Sequence, residues 1–441
     1  MAVIEGQGSR YLEGNYGPVA DELTVFDLEV DGAIPPSLSG RYLRIGPNPW
    51  PVPEGPYHWF SGAGMVHGVE LRDGRAQWYR NRWVRTSQMA EQLGEPDPGG
   101  PTPPMYDASN TNVLGHGGRI YTFTEGSNPY ELTPELDTVC RTDFCGVPRG
   151  FTAHPKIDPV TGELLGFAYG FEEPYVRYHA IGPDGRLTRT VDVDTTGPVM
   201  MHDFSVTERH AVFYDLPVVF SLEMALDPDT PFPFRWDDDY PPRVGLLPRD
   251  GDAVRWFDVD PCYVFHPLNA YEDEGGRVVL DVVRYPDMFR LEETKGSLLA
   301  KQRLERWTVD PSSGKVLTDV VDDRPQEFPQ VDPRVVGRRH RFGYVAGAIE
   351  DTKVLKHDLV RGTTEVHDLG AGRHPGEFSF VPDGDRAGED EGWLVGFVYD
   401  DATDRSDLVL LDASDMAAAP VATIHLPRRV PFGFHGSWVA D

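Results

Sequence analysis

Long apolar runs are missing from this sequence. Nowhere does it approach the ~18 consecutive apolar residues of a membrane-spanning helix. Its start, MAVIEGQGSRYLEGNYGP, has no apolar segment behind a basic flank, so no secretory signal is read there and a cytoplasmic location is expected. Cysteine is scarce: Cys140, Cys145 and Cys262 make an odd number in a long chain, which argues against a disulfide framework and fits reduced thiols. Positive charge is short as well. With 41 Lys and Arg against 71 Asp and Glu, the net charge of −30 argues against a nucleic-acid partner and against docking to anionic lipid through a basic patch. Helical periodicity is rare: Thr86 and Ser87 can cap a brief helix over residues 89–93, and residues 298–306 read either way.

What recurs instead is strand, turn, strand. VHGVELRDGRAQWYRNRWVRT places a D-G turn between two β-rich runs, and HAIGPDGRLTRTVDVD does the same. KIDPVTGELLG and WTVDPSSGKVLTDVV share an Asp-Pro that opens the turn and a Gly that closes it. LKHDLVRGTTEVHDLG and LVLLDASDMAAAPVATIHL continue the theme. At 441 residues the chain exceeds the ~250–300 at which one core usually splits, but radial repetition escapes that limit. An all-β propeller over residues 1–441, read as one domain, is therefore expected ahead of a sandwich. The Pro/Gly-rich segment 94–105 reads as a surface loop and a candidate lid over one face.

Four of the fourteen histidines share a setting. His154 (FTAHPKIDP), His202 (VMMHDFSVTE), His266 (CYVFHPLNAYED) and His435 (PFGFHGSWV) are each flanked by apolar or small residues at the edge of a strand-like run. One such ring is more often a satisfied core histidine than a ligand. Four of them on strands that converge on a propeller axis can meet at one ion. Neutral imidazoles suit Zn, Cu, Fe or Ni, and their chemistry alone does not choose. Carboxylates should then accept the outward ring N–H groups, and Glu125, Glu327 and Glu377 lie in fitting apolar, Gly- and Pro-rich contexts.

RYLRIGPNP, HWFSGAGMVHGV, SNTNV, TAHPKIDPVTGEL, HDFSVTE, CYVFHPLNAYED, EFPQVD and PFGFHGSWV, in this order from about Tyr16 onward, resemble the carotenoid cleavage oxygenases. The resemblance implies a seven-bladed β-propeller with a loop and helix dome over the active-site face. It implies one iron(II), Fe(2+), per chain, held by His154, His202, His266 and His435, with Glu125, Glu327 and Glu377 behind them. It gives Thr111 a role in catalysis, its methyl crowding one open coordination position. It also implies O2 as co-substrate and oxidative cleavage of an alkene to two carbonyl products. One departure is Ala63, where the family often has Asp, which bears on local loop bonding.

Family members that cleave 4-hydroxystilbenes grip the phenol with a Lys before the first of these glutamates and with a dome Tyr. Here that position is Thr124, and no Tyr occurs between Tyr79 and Tyr106. Losing such a charge-assisted hydrogen bond costs about 1.5–3 kcal/mol. A small hydrophobic alkene, a carotenoid or apocarotenoid, is therefore expected, with Phe60, Trp59 and the Pro-rich loop as candidate linings. A stilbene or phenylpropanoid is the runner-up, with a polar partner near Tyr106 and Asp107, and double-bond isomerisation comes after it. A non-catalytic scaffold would leave four such histidines idle. A propeller lactonase would need carboxylate and Asn ligands for Ca²⁺, which do not cluster here. The chain is expected to be a monomer, with at most weak membrane contact during substrate uptake.

Overall fold

The computed structural model describes residues 9–55, 57–103, 106–227, 230, 232–290, 302–348 and 350–441. Along these residues seven antiparallel sheets of four or five strands succeed one another as the blades of a β-propeller, and a two-stranded ribbon (Val218–Phe220 with Phe234–Trp236) stands apart from them. The anticipated turn units build the blades. Asp73 and Gly74 both take positive φ, 53° and 70°, so the strands Gly64–Arg72 and Arg75–Trp83 are joined by the tight turn whose twist suits a hairpin. The other units quoted above form hairpins in the same way, Lys156–Ile157 with Leu164–Tyr169 and Arg303–Asp310 with Lys315–Asp322 among them. Of residues 298–306, those from Gln302 are described and enter the strand Arg303–Asp310; the earlier ones lie outside the described residues.

Two joints close the ring. The strand Gly436–Ala440 pairs with Gly40–Pro47 and becomes the innermost strand of the first blade, while Val30–Gly32 pairs with Ala422–His425 on the outer edge of the last. Blades pack face to face through buried side chains such as Leu165, Phe167, Tyr178, Phe204 and Phe213. Burying each large apolar side chain contributes on the order of 1.5–3 kcal/mol. Outermost strands such as Lys315–Asp322 are mainly exposed. No helix among the described residues is long and apolar enough to cross a membrane.

Innermost strands run regularly except where they carry buried polar residues. The pairing shifts across His266, between Val264 and Pro267, and again between Pro267 and Asn269; it shifts also between Glu327 and Gln330, and between Pro375 and Phe378 around Glu377. Such bulges re-aim a side chain that regular pleating would send into a blade interface. Phe328, with φ of 54°, marks the second of them.

The short helix appears as Ser87–Leu93, its first turn capped by the Thr86 hydroxyl, which accepts from Met89 N–H at 3.2 Å, and its end turned by Gly94 at φ 72°. The loop that follows is not a lid. Arg141 on an outer strand ties it down through Asp97 and the Pro101 carbonyl, and residues 94–103 contribute nothing to the central cavity; 104 and 105 lie outside the described residues. Ala63 leaves the local loop bonded through backbone, its carbonyl accepting from Asn48 N–H at 2.6 Å.

Gly64 shows how tightly the first blade meets the second. A Cβ there would stand 1.7 Å from the Ser109 carbonyl oxygen, a backbone atom with no room to move. Gly64→Ala is expected to cost roughly 1–3 kcal/mol through this overpacking. A thermal melt within a degree of the native one would refute that account of the contact.

Candidate metal centre and cavity

Every blade delivers at least one of the residues singled out above to the axis. Thr111 and Glu125 come from the second blade, His154 from the third, His202 from the fourth, His266 from the fifth, Glu327 from the sixth, Glu377 from the seventh and His435 from the first. His154, His202 and His435 sit just ahead of innermost strands, and His266 lies within one. The four imidazoles are buried, and one ring nitrogen from each lies within 4.8 Å of the others. Nε2 of His202 stands 3.0 Å from Nε2 of His154 and 3.2 Å from Nε2 of His266.

Glutamates decide what those nitrogens can do. Nδ1 of His266 lies 2.6 Å from Glu327 Oε2, Nδ1 of His435 lies 3.1 Å from Glu377 Oε1, and Nδ1 of His202 lies 2.5 Å from Glu125 Oε1. A carboxylate can only accept, so it holds the ring proton on Nδ1 and leaves Nε2 as a bare lone pair. Burial, reinforced by the neighbouring imidazoles, drives His154 and His266 well below their ordinary value, so both stay neutral. Acceptor nitrogens facing one another cannot bond among themselves. A cation at their centre satisfies all of them, and metal–nitrogen bonds of roughly 2.0–2.1 Å place adjacent ligand nitrogens about 3 Å apart. The donor set therefore fits a divalent transition metal.

Two of the carboxylates are themselves braced. Tyr285 Oη donates to Glu327 Oε1 at 2.6 Å, and Phe328 N–H donates to its other oxygen at 2.7 Å. Gln330 Nε2 and Gly436 N–H do the same for Glu377, at 2.6 and 2.7 Å. Burial alone would raise Glu125 and Glu377, but contact with His202 and His435 outweighs it and leaves both below the ordinary carboxylate value. Glu327 differs: burial pushes it up to about 7 against its hydrogen bonds.

Above the nitrogens lies a cavity of about 580 Å³, lined by His202, His266 and His435 but otherwise mostly apolar and aromatic. Trp59 and Phe60 line it as anticipated, and Thr111 does too. The Thr111 hydroxyl donates to Asn110 Oδ1 at 2.9 Å and stands 3.0 Å from the Thr124 hydroxyl. Phe265 packs edge-on to His202 with ring centres 4.6 Å apart, and Phe328 packs against His435 at 5.4 Å. Together these rings keep the nitrogens out of bulk water.

A family model described as RPE65, retinal pigment epithelial membrane protein, matches residues 16–440. A carotenoid cleavage oxygenase of Mycobacterium tuberculosis is 43% identical over 97% of each chain. The chain belongs to the carotenoid cleavage oxygenase family. Its fold is shared by the crystal structure of a Pseudomonas brassicacearum lignostilbene dioxygenase, with a TM-score of 0.89, 30% identity and 99% and 100% of the two chains covered. Cobalt-substituted Synechocystis ACO is similar at a TM-score of 0.84, with 28% identity and 96% and 97% coverage. Like these family members it is an oxidoreductase of the dioxygenase kind.

Sequence reasoning missed some parts of this family member's site. Tyr285 and Gln330, which brace glutamates, carry no local signal of their own. Asp203 and Lys156 stand beside His154 and are legible only as neighbours of ligands in HDF and HPK. The absence of tyrosine from residues 80–105 does not leave the cavity without phenol hydroxyls. Tyr11, Tyr16, Tyr106 and Tyr169 all line the cavity, each from outside the tyrosine-free stretch 80–105, and Tyr106 Oη donates to the Glu125 main-chain carbonyl.

Metal affinity should depend on pH through Glu327. Its raised value means that the metal-free fold favours the protonated carboxyl. The stability this contributes is present at pH below the ordinary carboxylate range and is lost as pH rises through about 7. A bound cation favours the ionised form instead, so the dissociation constant for a divalent metal should fall as pH rises through about 7 and then level off. Glu327→Gln should flatten that profile and weaken binding by ~10–100-fold. Isothermal titration with Co(II) at several pH values tests both, and an unchanged profile in the variant would assign the pH dependence elsewhere.

Proposed function

We propose that this chain holds one iron(II) ion on His154, His202, His266 and His435 and uses O2 to cleave a carbon–carbon double bond of an apocarotenoid or carotenoid. The observation that carries this is the set of acceptor-only imidazole nitrogens at the wall of an apolar, aromatic cavity. When bound, iron(II) supplies the one-electron chemistry that lets O2 react with an alkene. The overall change balances without a reductant: one O2 and one double bond give two carbonyl groups, the alkene supplying the electrons.

The side chains have separate parts in this. Glu125, Glu327 and Glu377 fix the ring tautomers, so the nitrogens are aimed before the ion arrives. Phe265, Phe328, Phe60 and Trp59 offer flat apolar surfaces that hold a polyene beside the histidines and exclude water. Thr111 has its hydroxyl engaged by Asn110 and Thr124, which leaves its methyl group to narrow the cavity near the ligands. No general acid or base is needed. The ring of residues 23–440 acts as one unit that assembles the site, and we read it as a single domain, a monomer working in the cytoplasm.

A second reading has its own support. The cavity tyrosines provide hydroxyls that a phenol could meet, and a lignostilbene dioxygenase shares the fold closely. Against it, Tyr106 already spends its proton on a backbone carbonyl and Thr124 brings no positive charge. Turnover per bound iron on a long-chain apocarotenal should exceed that on a 4-hydroxystilbene at least ~10-fold, the effect of a lost charge-assisted hydrogen bond. Faster stilbene cleavage would move the substrate assignment and leave the metal assignment standing. His202→Ala or His266→Ala should lose nearly all iron by elemental analysis. Stoichiometric zinc in the active native protein, untouched by iron chelators, would overturn the choice of metal.

A further inference from the structure

Three histidines of the cluster are matched to glutamates and the fourth is not. Nδ1 of His154 faces Asp203 Oδ2 at 3.7 Å, beyond hydrogen-bond range. Both Asp203 oxygens are already engaged: Lys156 Nζ lies 2.9 Å from each, and Phe204 N–H donates to Oδ1 at 2.7 Å. Asp203 is buried, and Lys156 is only partly exposed. The pair comes from the two ligand segments themselves, since Lys156 follows His154 by two residues and Asp203 follows His202 directly.

His154 differs in its surroundings too. It alone of the four is absent from the wall of the apolar cavity. With Lys156 and Asp203 it lines a second, more polar cavity of about 340 Å³ that runs along the innermost strands past Asn112, Ser205 and Asn269. Without Lys156 a carboxylate so close to the ring is free to turn to Nδ1–H, as Glu327 and Glu377 do.

The balance of charge gives that contact a purpose. A divalent cation among three glutamates already leaves the buried centre one negative charge in excess. A free Asp203 would add a second, with no cation nearby to offset its desolvation. An imidazole that donates its N–H to an unshared carboxylate is also the stronger donor through its other nitrogen.

We propose that Lys156 is a positioning residue of the metal centre: by holding both oxygens of Asp203 it withholds an anion from His154 and keeps that imidazole the weakest donor of the four. This rests on reading the four histidines as a metal centre. The lysine thus tunes the ion from outside its ligand shell, through the one histidine of the four that does not reach the apolar cavity.

The sign of the effect separates this role from a merely structural one. In Lys156→Met, Asp203 is free to accept from His154, so Co(II) and Fe(II), titrated against a competing chelator without oxygen, should bind roughly threefold tighter or more, a smaller effect than the ~10–100-fold of losing an outer partner outright. The visible bands of the Co(II) form should shift with it. Adding Asp203→Asn to that variant should return both affinity and spectrum to near native. Lys156→Gln, which keeps a hydrogen bond without charge, should lie between native and Lys156→Met, and it supplies the same sign if the methionine variant does not fold. Weaker or unchanged binding in the lysine variants, beside a native protein that binds metal, overturns the proposal alone. A native protein that binds neither metal overturns the metal centre and the proposal together.

Discussion

A proton on the wrong nitrogen would undo this site. Everything at the propeller axis depends on each imidazole keeping its hydrogen on Nδ1, because only then do four lone pairs converge. Carboxylates stand against Nδ1 of His202, His266 and His435, and those of Glu327 and Glu377 are in turn held by Tyr285, Gln330 and backbone N–H groups. Metal-free, the arrangement leaves buried acceptors facing one another and a carboxyl, Glu327, that burial drives toward neutrality. The fold tolerates that cost because seven blades hold the strands rigid, and a cation relieves it.

The four clustered histidines were legible in the sequence because their surroundings are unusual: a histidine between apolar residues at a strand edge must find partners inside the protein. Hairpins were legible for a similar reason, since Asp73-Gly74 or Asp-Pro before a Gly leaves the chain few other shapes. The braces were not. Tyr285 and Gln330 look like ordinary strand residues, and only the meeting of adjacent blades gives them a carboxylate to hold. The cavity lining was the least legible part. Phe265 and Phe328 adjoin site residues, but Phe232, Phe289, Tyr16 and Tyr169 reach the same space from segments far apart in the chain. The proline-rich loop went the other way: its composition suggested a cover, whereas Arg141 pins it to the rim.

Bulges explain how a repetitive fold makes a unique site. Seven similar blades would present seven similar inner edges, alternating side chains between their two faces. At His266, Glu327 and Glu377 the pairing slips, and a residue that would have packed between blades points to the axis instead. These slips lie in the layer nearest the axis, whereas the other bulges, as between Glu70 and Leu71 or Leu304 and Glu305, fall farther out in the blades and aim nothing at the site.

Ring closure by the strand Gly436–Ala440 also sets an order of events during synthesis. His154, His202 and His266 leave the ribosome well before His435, so a growing chain owns three ligands and an open ring. The fourth ligand arrives only with the strand that shuts the circle. The four nitrogens therefore come together only as the ring closes, and an interrupted chain has no complete set of them with which to hold a cation.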